Sequence, residues 1–312
     1  MKQGKIVVVM GGPSSEAEVS RRTGAAIVNA LESKGYAVEG MELDPPHFAE
    51  AIRKSDCAIV FNALHGRYGE DGVLQGTLDM LGIPYTGSGV LAAAVTMDKV
   101  MSKRVFLGAG ISTPRSETFH RFEFDAELPS RIRKAFSLPV VIKASSQGSS
   151  IGVAIVEKEE ELEAALKEAF RYDEEVLVEE FIRGKELTVA VWGDAREAQA
   201  FPVIEITTVS GRYDYASKYT KGASTHIIPA RIPLDVTERV QQLAVDAFRA
   251  CGCRGVARAD MMLGEDMTPY VIEINSMPGM TETSLVPDAG RAMGVEFPEL
   301  CEKILEMAGY EK

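Results

Sequence analysis

The sequence lacks both glycine signatures that most often mark a bound nucleotide: it has no Gly-x-Gly-x-x-Gly and no Gly-Lys-Ser/Thr loop. It is also poor in cysteine. Its four thiols, Cys57, Cys251, Cys253 and Cys301, form no Cys-x-x-Cys pair, and no histidine lies near Cys251 and Cys253. That excludes a disulfide framework and a zinc ribbon, and small buried thiols in a reducing cytoplasm are expected. Basic residues are outnumbered, with 34 Lys and Arg against 46 Asp and Glu and a net charge of -12. With no dense basic cluster, a nucleic-acid partner is not expected. No apolar run reaches transmembrane length. The run in MKQGKIVVVMGG is too short for a signal peptide, so no membrane partner is expected. Internal repeats and low-complexity segments are absent.

What is present is a soluble globular composition, 46% hydrophobic and 26% charged over 312 residues. That length favours two or three domains. Strands are predicted at Lys5–Met10, Ala37–Leu43 and Cys57–Ala63, and a helix over Ser14–Lys34 lies between the first two. This alternation implies a parallel sheet in a first domain over 1–96. A helix over Met97–Leu107, strands at Leu138–Lys143, Gly152–Val156 and Glu175–Phe181, and a charged helix over Lys158–Tyr172 make a second domain, 97–183. The third, 184–312, has strands at Leu187–Trp192, Ala200–Glu205, Gly255–Leu263 and Pro269–Ile274, and a helix over Asp235–Ala250. The polar loop at 207–226 is long for a compact domain, and such loops are more often functional covers.

Three loops could hold an anion. ASSQGSSIG (144–152) joins two strands and has backbone amides that small side chains leave accessible; it also reads as a plain hairpin turn. MGGPSSEAEVS (10–20) opens a helix after a buried strand. Its plainer reading is a glycine turn with Ser14 or Ser15 as cap and Glu16 or Glu18 completing a capping box. NALHGRYGEDGVLQG (62–76) puts His65, Arg67, Glu70 and Asp71 at the carboxyl end of a strand, where open α/β sheets bind ligands.

The stretch YVIEINSMPGM (270–280) begins like a buried strand, yet Glu273 and Asn275 interrupt it. Arg258 and Asp260 do the same in Gly255–Leu263. Residues two apart on a strand share a face. A hairpin through GEDMT sets Asp260 opposite Glu273 and Arg258 opposite Asn275, with Ile272, Ile274, Ala257, Ala259 and Met261 on the other face. Like charges facing across a sheet are unfavourable. They make sense around a hard cation such as magnesium, which takes oxygen ligands and shares them with phosphate. The alternative is an exposed face of solvated charges.

LHGRYGEDG, MDK at 97–99, VIKASSQGSSIGV, SKY at 217–219, ARADMM and IEINSMPGMTETSLVP occur in this order. Together they resemble the D-alanine–D-alanine ligase family of the ATP-grasp superfamily, over essentially the whole chain. The resemblance implies an α/β fold, α+β in part. A parallel α/β domain is followed by two α+β domains that clamp ATP, with 207–226 as a lid.

The resemblance also implies an activity. ATP phosphorylates one D-alanine, the amine of a second attacks the acyl phosphate, and the dipeptide enters peptidoglycan synthesis. Asp260, Glu273 and Asn275 would bind two magnesium ions, which manganese can replace. Arg258 and the Gly279 N–H would form the oxyanion site. Glu16 would hold the first ammonium, linked to Ser149 and Tyr219, with His65 near the carboxylate. Ser284 and Leu285 would take the second carboxylate at a helix start. Lys99, Lys143 and Lys218 would contact phosphates, and Glu179, Ile182 and Glu186 the adenosine. The family further implies a cytoplasmic homodimer. Ala144 and Tyr68 depart from its usual residues without removing a chemical group. Tyr219 favours D-alanine over D-lactate as second substrate. Another ATP-grasp carboxylate–amine ligase and a non-catalytic nucleotide sensor are the competing readings.

Overall fold

In the computed structural model, residues 4–148, 151–208, 223–281 and 284–310 are described. Strands β1 (Lys5–Met10), β2 (Val38–Glu42) and β3 (Cys57–Asn62) form a parallel sheet in the order β2-β1-β3. In β1 the valines are buried on both faces. Val7 and Val9 pack with Leu43, Phe48, Ile52, Leu74 and Leu78. Ile6 and Val8 join Ile27 and Leu31 of α1 (Ala17–Ser33). A continuous apolar run is what a strand covered on both sides requires.

Helices α2 (Phe48–Lys54), α3 (Val73–Leu81) and α4 (Val90–Met97) belong to segments to which the sequence reading assigned no element. The helix expected over 97–107 starts instead at Lys99. Helix α5 (Lys99–Gly108) is separated from α4 by Asp98, in an extended conformation. The Asp98 carboxylate accepts from the Val100 and Met101 N–H groups, an N-cap that starts a new helix.

A second sheet, ordered β4-β7-β5-β6, is antiparallel. It comprises β4 (Ser116–His120), β5 (Val140–Ala144), β6 (Val153–Val156) and β7 (Glu175–Glu180). Helices α6 (Leu128–Ala135) and α7 (Leu162–Ala169) cover one face, against Val140, Ile142, Val176 and Val178. The helix expected over 158–172 is thus only its middle part, preceded by a 3-10 turn at Glu159–Glu161.

The largest sheet runs β11-β10-β8-β12-β13, with β9 paired to β8. Its strands are β8 (Gly184–Gly193), β9 (Gln199–Ala200), β10 (Ile204–Thr208), β11 (Ser224–Ile227), β12 (Gly255–Gly264) and β13 (Pro269–Asn275). The single strand expected at 200–205 is two pieces, because Pro202 between them has no N–H to donate. The loop expected at 207–226 is shorter at both ends: Thr207 pairs with Thr225 and Thr208 with Ser224. Helix α8 (Leu234–Ala250) packs Val240, Ala244 and Phe248 under this sheet, with Phe106 of α5 and Ala92 of α4. Helices α9 (Leu285–Ala292) and α10 (Phe297–Glu306) return to the first sheet, where Val286, Ala289, Leu300 and Ile304 share a core with Ile27 and Leu31. Tyr85, bridged to Val60, exchanges two backbone hydrogen bonds with Gly309.

Cys251, Cys253 and Cys301 are buried free thiols, and burial pushes Cys251 and Cys301 up to about 12. Among the described residues no helix is long and apolar enough to cross a membrane.

Candidate active site

The pairing of β12 and β13 sets Asp260 opposite Glu273 and Arg258 opposite Asn275. A bulge lies between Asp260 and Met261, so Met261 pairs with Val271 and Ile272 is the extra residue. This corrects the expectation that Ile272 shares the face of Ile274. Val271 and Ile274 reach the core, whereas Ile272 lines the cleft beside Glu273. Arg258 grips Asp260 with two bonds, Nε to Oδ1 at 2.7 Å and Nη2 to Oδ2 at 2.6 Å. Thr188, opposite on β8, donates its hydroxyl to Asp260 Oδ1 at 2.7 Å. Lys99 Nζ lies 3.5 Å from Glu273. Each carboxylate of the facing pair therefore has a cation of its own.

The cleft divides into two adjoining cavities. The larger, about 1250 Å3, lies between the uncovered face of the second sheet and the largest sheet. On β5 and β7, Val141, Lys143 and Glu179 point into it because their neighbours Val140, Ile142 and Val178 point into the core. Ile182, Glu186 and Asp260 line it as well. Glu179 is 1% exposed, and each of its oxygens meets a lysine, Lys103 at 2.5 Å and Lys143. Burial alone would raise its carboxyl. Lys143 and Lys103 overcome that and hold it below the usual carboxylate range. Its neighbour Glu180, at the end of the strand, is exposed.

The smaller cavity, about 430 Å3, is lined by Glu16, His65, Arg258, Asn275, Gly279, Ser284 and Leu285, among others. Lys99, Gln147 and Glu273 line both cavities and form the seam between them. Ser284 is the N-cap residue of α9, as the expected helix start requires, and its Oγ accepts from the Thr281 N–H. His65 is buried, with Nε2 3.1 Å from the Thr23 hydroxyl and Nδ1 3.6 Å from Glu70. The capping box expected at α1 does not form. Ser14 Oγ accepts from the Glu16 N–H but donates to the His65 carbonyl, tying this turn to the next loop. Gly66 takes φ 71°, a left-handed conformation that glycine adopts without strain, and its missing Cβ leaves room for the Glu16 carboxylate.

The serine-rich loop is anchored at its start. Ser145 Oγ donates to Asp98, Ser146 donates through N–H and hydroxyl to Asp173, and the Gln147 carbonyl accepts from Lys99 Nζ at 2.6 Å. Ser149, Lys218 and Tyr219 lie outside the described residues. Every other predicted site residue lines one of the two cavities. Sequence reasoning missed Lys103, Thr188 and Arg22, and gave Glu70 no role. Lys103 had a signal: it follows Lys99 by four residues, on the same helix face.

Comparison with known proteins accounts for this arrangement. Residues 37–88 match the family model for the D-ala D-ala ligase N-terminus, and residues 105–306 the model for its C-terminus. The chain is 49% identical over 307 residues to the D-alanine–D-alanine ligase of Moorella thermoacetica, covering 97% of this chain and 99% of that one. It is similar in structure to the D-alanine–D-alanine ligase of Bacillus anthracis complexed with ATP. There the TM-score is 0.84 at 33% identity, covering 98% of this chain and 97% of that one. The VanG D-Ala:D-Ser ligase of Enterococcus faecalis is also similar, with TM-score 0.83 at 31% identity, covering 98% and 99%. With both family models matched in order and near-full-length relatives on either side, the chain belongs to the D-alanine–D-alanine ligase family.

Proposed function

We propose that this protein joins two D-alanines in an ATP-dependent reaction that supplies a peptidoglycan precursor. The observation that carries this reading is the seam: Lys99, Gln147 and Glu273 stand between a large cavity that Lys143 lines and a small polar one. A phosphoryl group handed from one cavity to a carboxylate in the other must pass there. The first D-alanine carboxylate attacks the terminal phosphorus of ATP, giving an acyl phosphate and ADP. The amine of the second D-alanine then attacks the acyl carbon, and phosphate leaves with its bonding electron pair.

In this reading Lys99, Lys143 and Lys218 bind phosphates, and Glu179, Ile182 and Glu186 surround the adenosine. Glu16, with Ser149 and Tyr219, holds the first ammonium, and His65 lies near its carboxylate. Ser284 and Leu285, at the start of α9, receive the second carboxylate. Arg258 and the Gly279 N–H stabilise the tetrahedral oxyanion. Asp260, Glu273 and Asn275 present only oxygen donors on one side of a two-strand ladder, a set that fits magnesium or manganese. Magnesium would neutralise charge on the transferring phosphoryl group. Among the described residues no three His, Cys, Asp or Glu side chains form a metal cluster, and Asn275 would add an amide oxygen to the two carboxylates.

The protein would act in the cytoplasm as a homodimer. Val73 and Met80 of α3 and Leu91 of α4 are exposed apolar side chains that a second copy could cover. Phosphate release with ATP and magnesium, compared for D-alanine, L-alanine, and D-alanine with D-serine or D-lactate, tests the reaction. Release with D-alanine alone, together with the dipeptide, is expected. Release that requires D-serine or D-lactate would reassign the second pocket.

A further inference from the structure

Lys103 is 3% exposed, deeper than Lys143 at 7%, and no step above uses it. A buried ammonium is costly unless it is paired and fully hydrogen-bonded. Lys103 is both. Its Nζ meets Glu179 at 2.5 Å and donates to the Thr113 hydroxyl at 2.5 Å and the Pro114 carbonyl at 3.2 Å. Burial pulls its ammonium below the ordinary value, against Glu179. The other Glu179 oxygen meets Lys143, so one carboxylate is shared between two cations. The trio carries one net positive charge at the cavity wall.

The contacts continue beyond the trio. Thr113 donates its hydroxyl to the Val271 carbonyl at 2.7 Å, and the Val271 N–H donates to Ser112 at 2.9 Å. Val271 stands beside the Ile272 bulge on β13. Lys103 therefore lies between the wall that carries Glu179 and Lys143 and the strand that carries Glu273.

We propose that Lys103 is a positioning residue for the nucleotide. By taking one oxygen of Glu179, it keeps Lys143 from being fully committed to that carboxylate and leaves its ammonium able to turn to a phosphate. Without Lys103 the whole charge of Glu179 falls on Lys143, and the trio's net charge drops to zero. The inference rests on the ATP-dependent reading above.

The test is calorimetric titration with ATP, paired with steady-state kinetics, on the full chain. K103M should raise the Kd and KM for ATP about tenfold, the loss of one charge-assisted hydrogen bond. The KM for D-alanine should stay within about twofold. In an E179Q background the same K103M change should alter ATP binding by less than about twofold, because no carboxylate remains to capture Lys143. If K103M does not fold, K103Q, neutral and still able to hydrogen-bond Thr113, carries the same comparison. Unchanged ATP binding in K103M, equal rises in both KM values, or an equal loss in the E179Q background would overturn the proposal. A wild-type chain that makes dipeptide in that case keeps the functional reading intact. A wild-type chain that does not bind ATP would overturn both.

Discussion

The larger cavity holds its most buried carboxylate, Glu179, between two lysines, whereas the smaller holds Glu70 against a single histidine, with Glu16 nearby. The same side-chain type is pushed in opposite directions. Glu179 stays below the usual carboxylate range because two cations outweigh its burial. Glu70 rises because burial dominates, His65 offsets it only in part, and Glu16 adds to it. A wall of lysines already balanced against a carboxylate can turn toward an anion. The smaller cavity mixes Glu16, Glu70 and Glu273 with Arg22, Lys99 and Arg258, a set suited to the ammonium and the carboxylate of an amino acid. In the reaction proposed above, the larger cavity takes the phosphates and the smaller the amino acids.

The largest expected effect is at the seam, where both cavities fail together. Glu273→Gln should lower dipeptide formation at least about a thousandfold while leaving the melting temperature near wild type. Normal turnover in that variant would remove the metal assignment. Separating the cavities comes next. Lys143→Met should raise the KM for ATP about tenfold and leave that for D-alanine alone, and Glu16→Gln should do the reverse. Crossed effects would mean that the cavities do not divide the substrates.

A third carboxylate calibrates the comparison. Glu205 is pushed down to about 2, chiefly by Arg231 and then Lys185, against its burial. Its folded value is depressed, so its contribution is present above its ordinary value of 4.5 and is lost as pH falls toward about 2. Glu205→Gln should cost about 1–2 kcal/mol at neutral pH, discounted because Arg231 is largely exposed, and the cost should vanish in acid. The smallest effect has the opposite sign. Glu70 is raised, so its burden builds as pH rises above its ordinary 4.5 and is complete once pH has passed its folded value. Glu70→Gln should slightly raise the melting temperature above the folded value of Glu70 and leave it unchanged below its ordinary 4.5. A uniform shift at all pH values would mean that charge is not the cause.

Much of the site was legible because polar residues inside apolar strands are conspicuous. Arg258, Asp260, Glu273 and Asn275 stand at alternate positions, and a short hairpin loop fixes which faces which. Ile272 was not legible, since alternation cannot reveal an inserted residue until the partner strand is in place. The break at Asp98 was hidden because residues on both sides favour helix, and only its cap hydrogen bonds reveal it. Lys103 reads locally as a helix-surface lysine, and its partner Glu179 is 76 positions away along the chain. Glu70 sits in a loop recognised as a site, but its direction of titration depends on burial that no local pattern encodes.

The bridge between Tyr85 and Gly309 bears on how the molecule is made. Strands β1, β2 and β3 all come from the first fifth of the chain. Their flank is closed by Gly309, and one core face by Leu300 and Ile304 of α10. Synthesis proceeds from the N-terminus. On the ribosome the first sheet is therefore the earliest to emerge and the last to be covered. Ile27, Leu31 and Phe61 wait for their C-terminal partners Leu300 and Ile304 until nearly the whole polypeptide has been translated. A stalled or truncated product would carry that uncovered face exposed, where chaperones and proteases would meet it first.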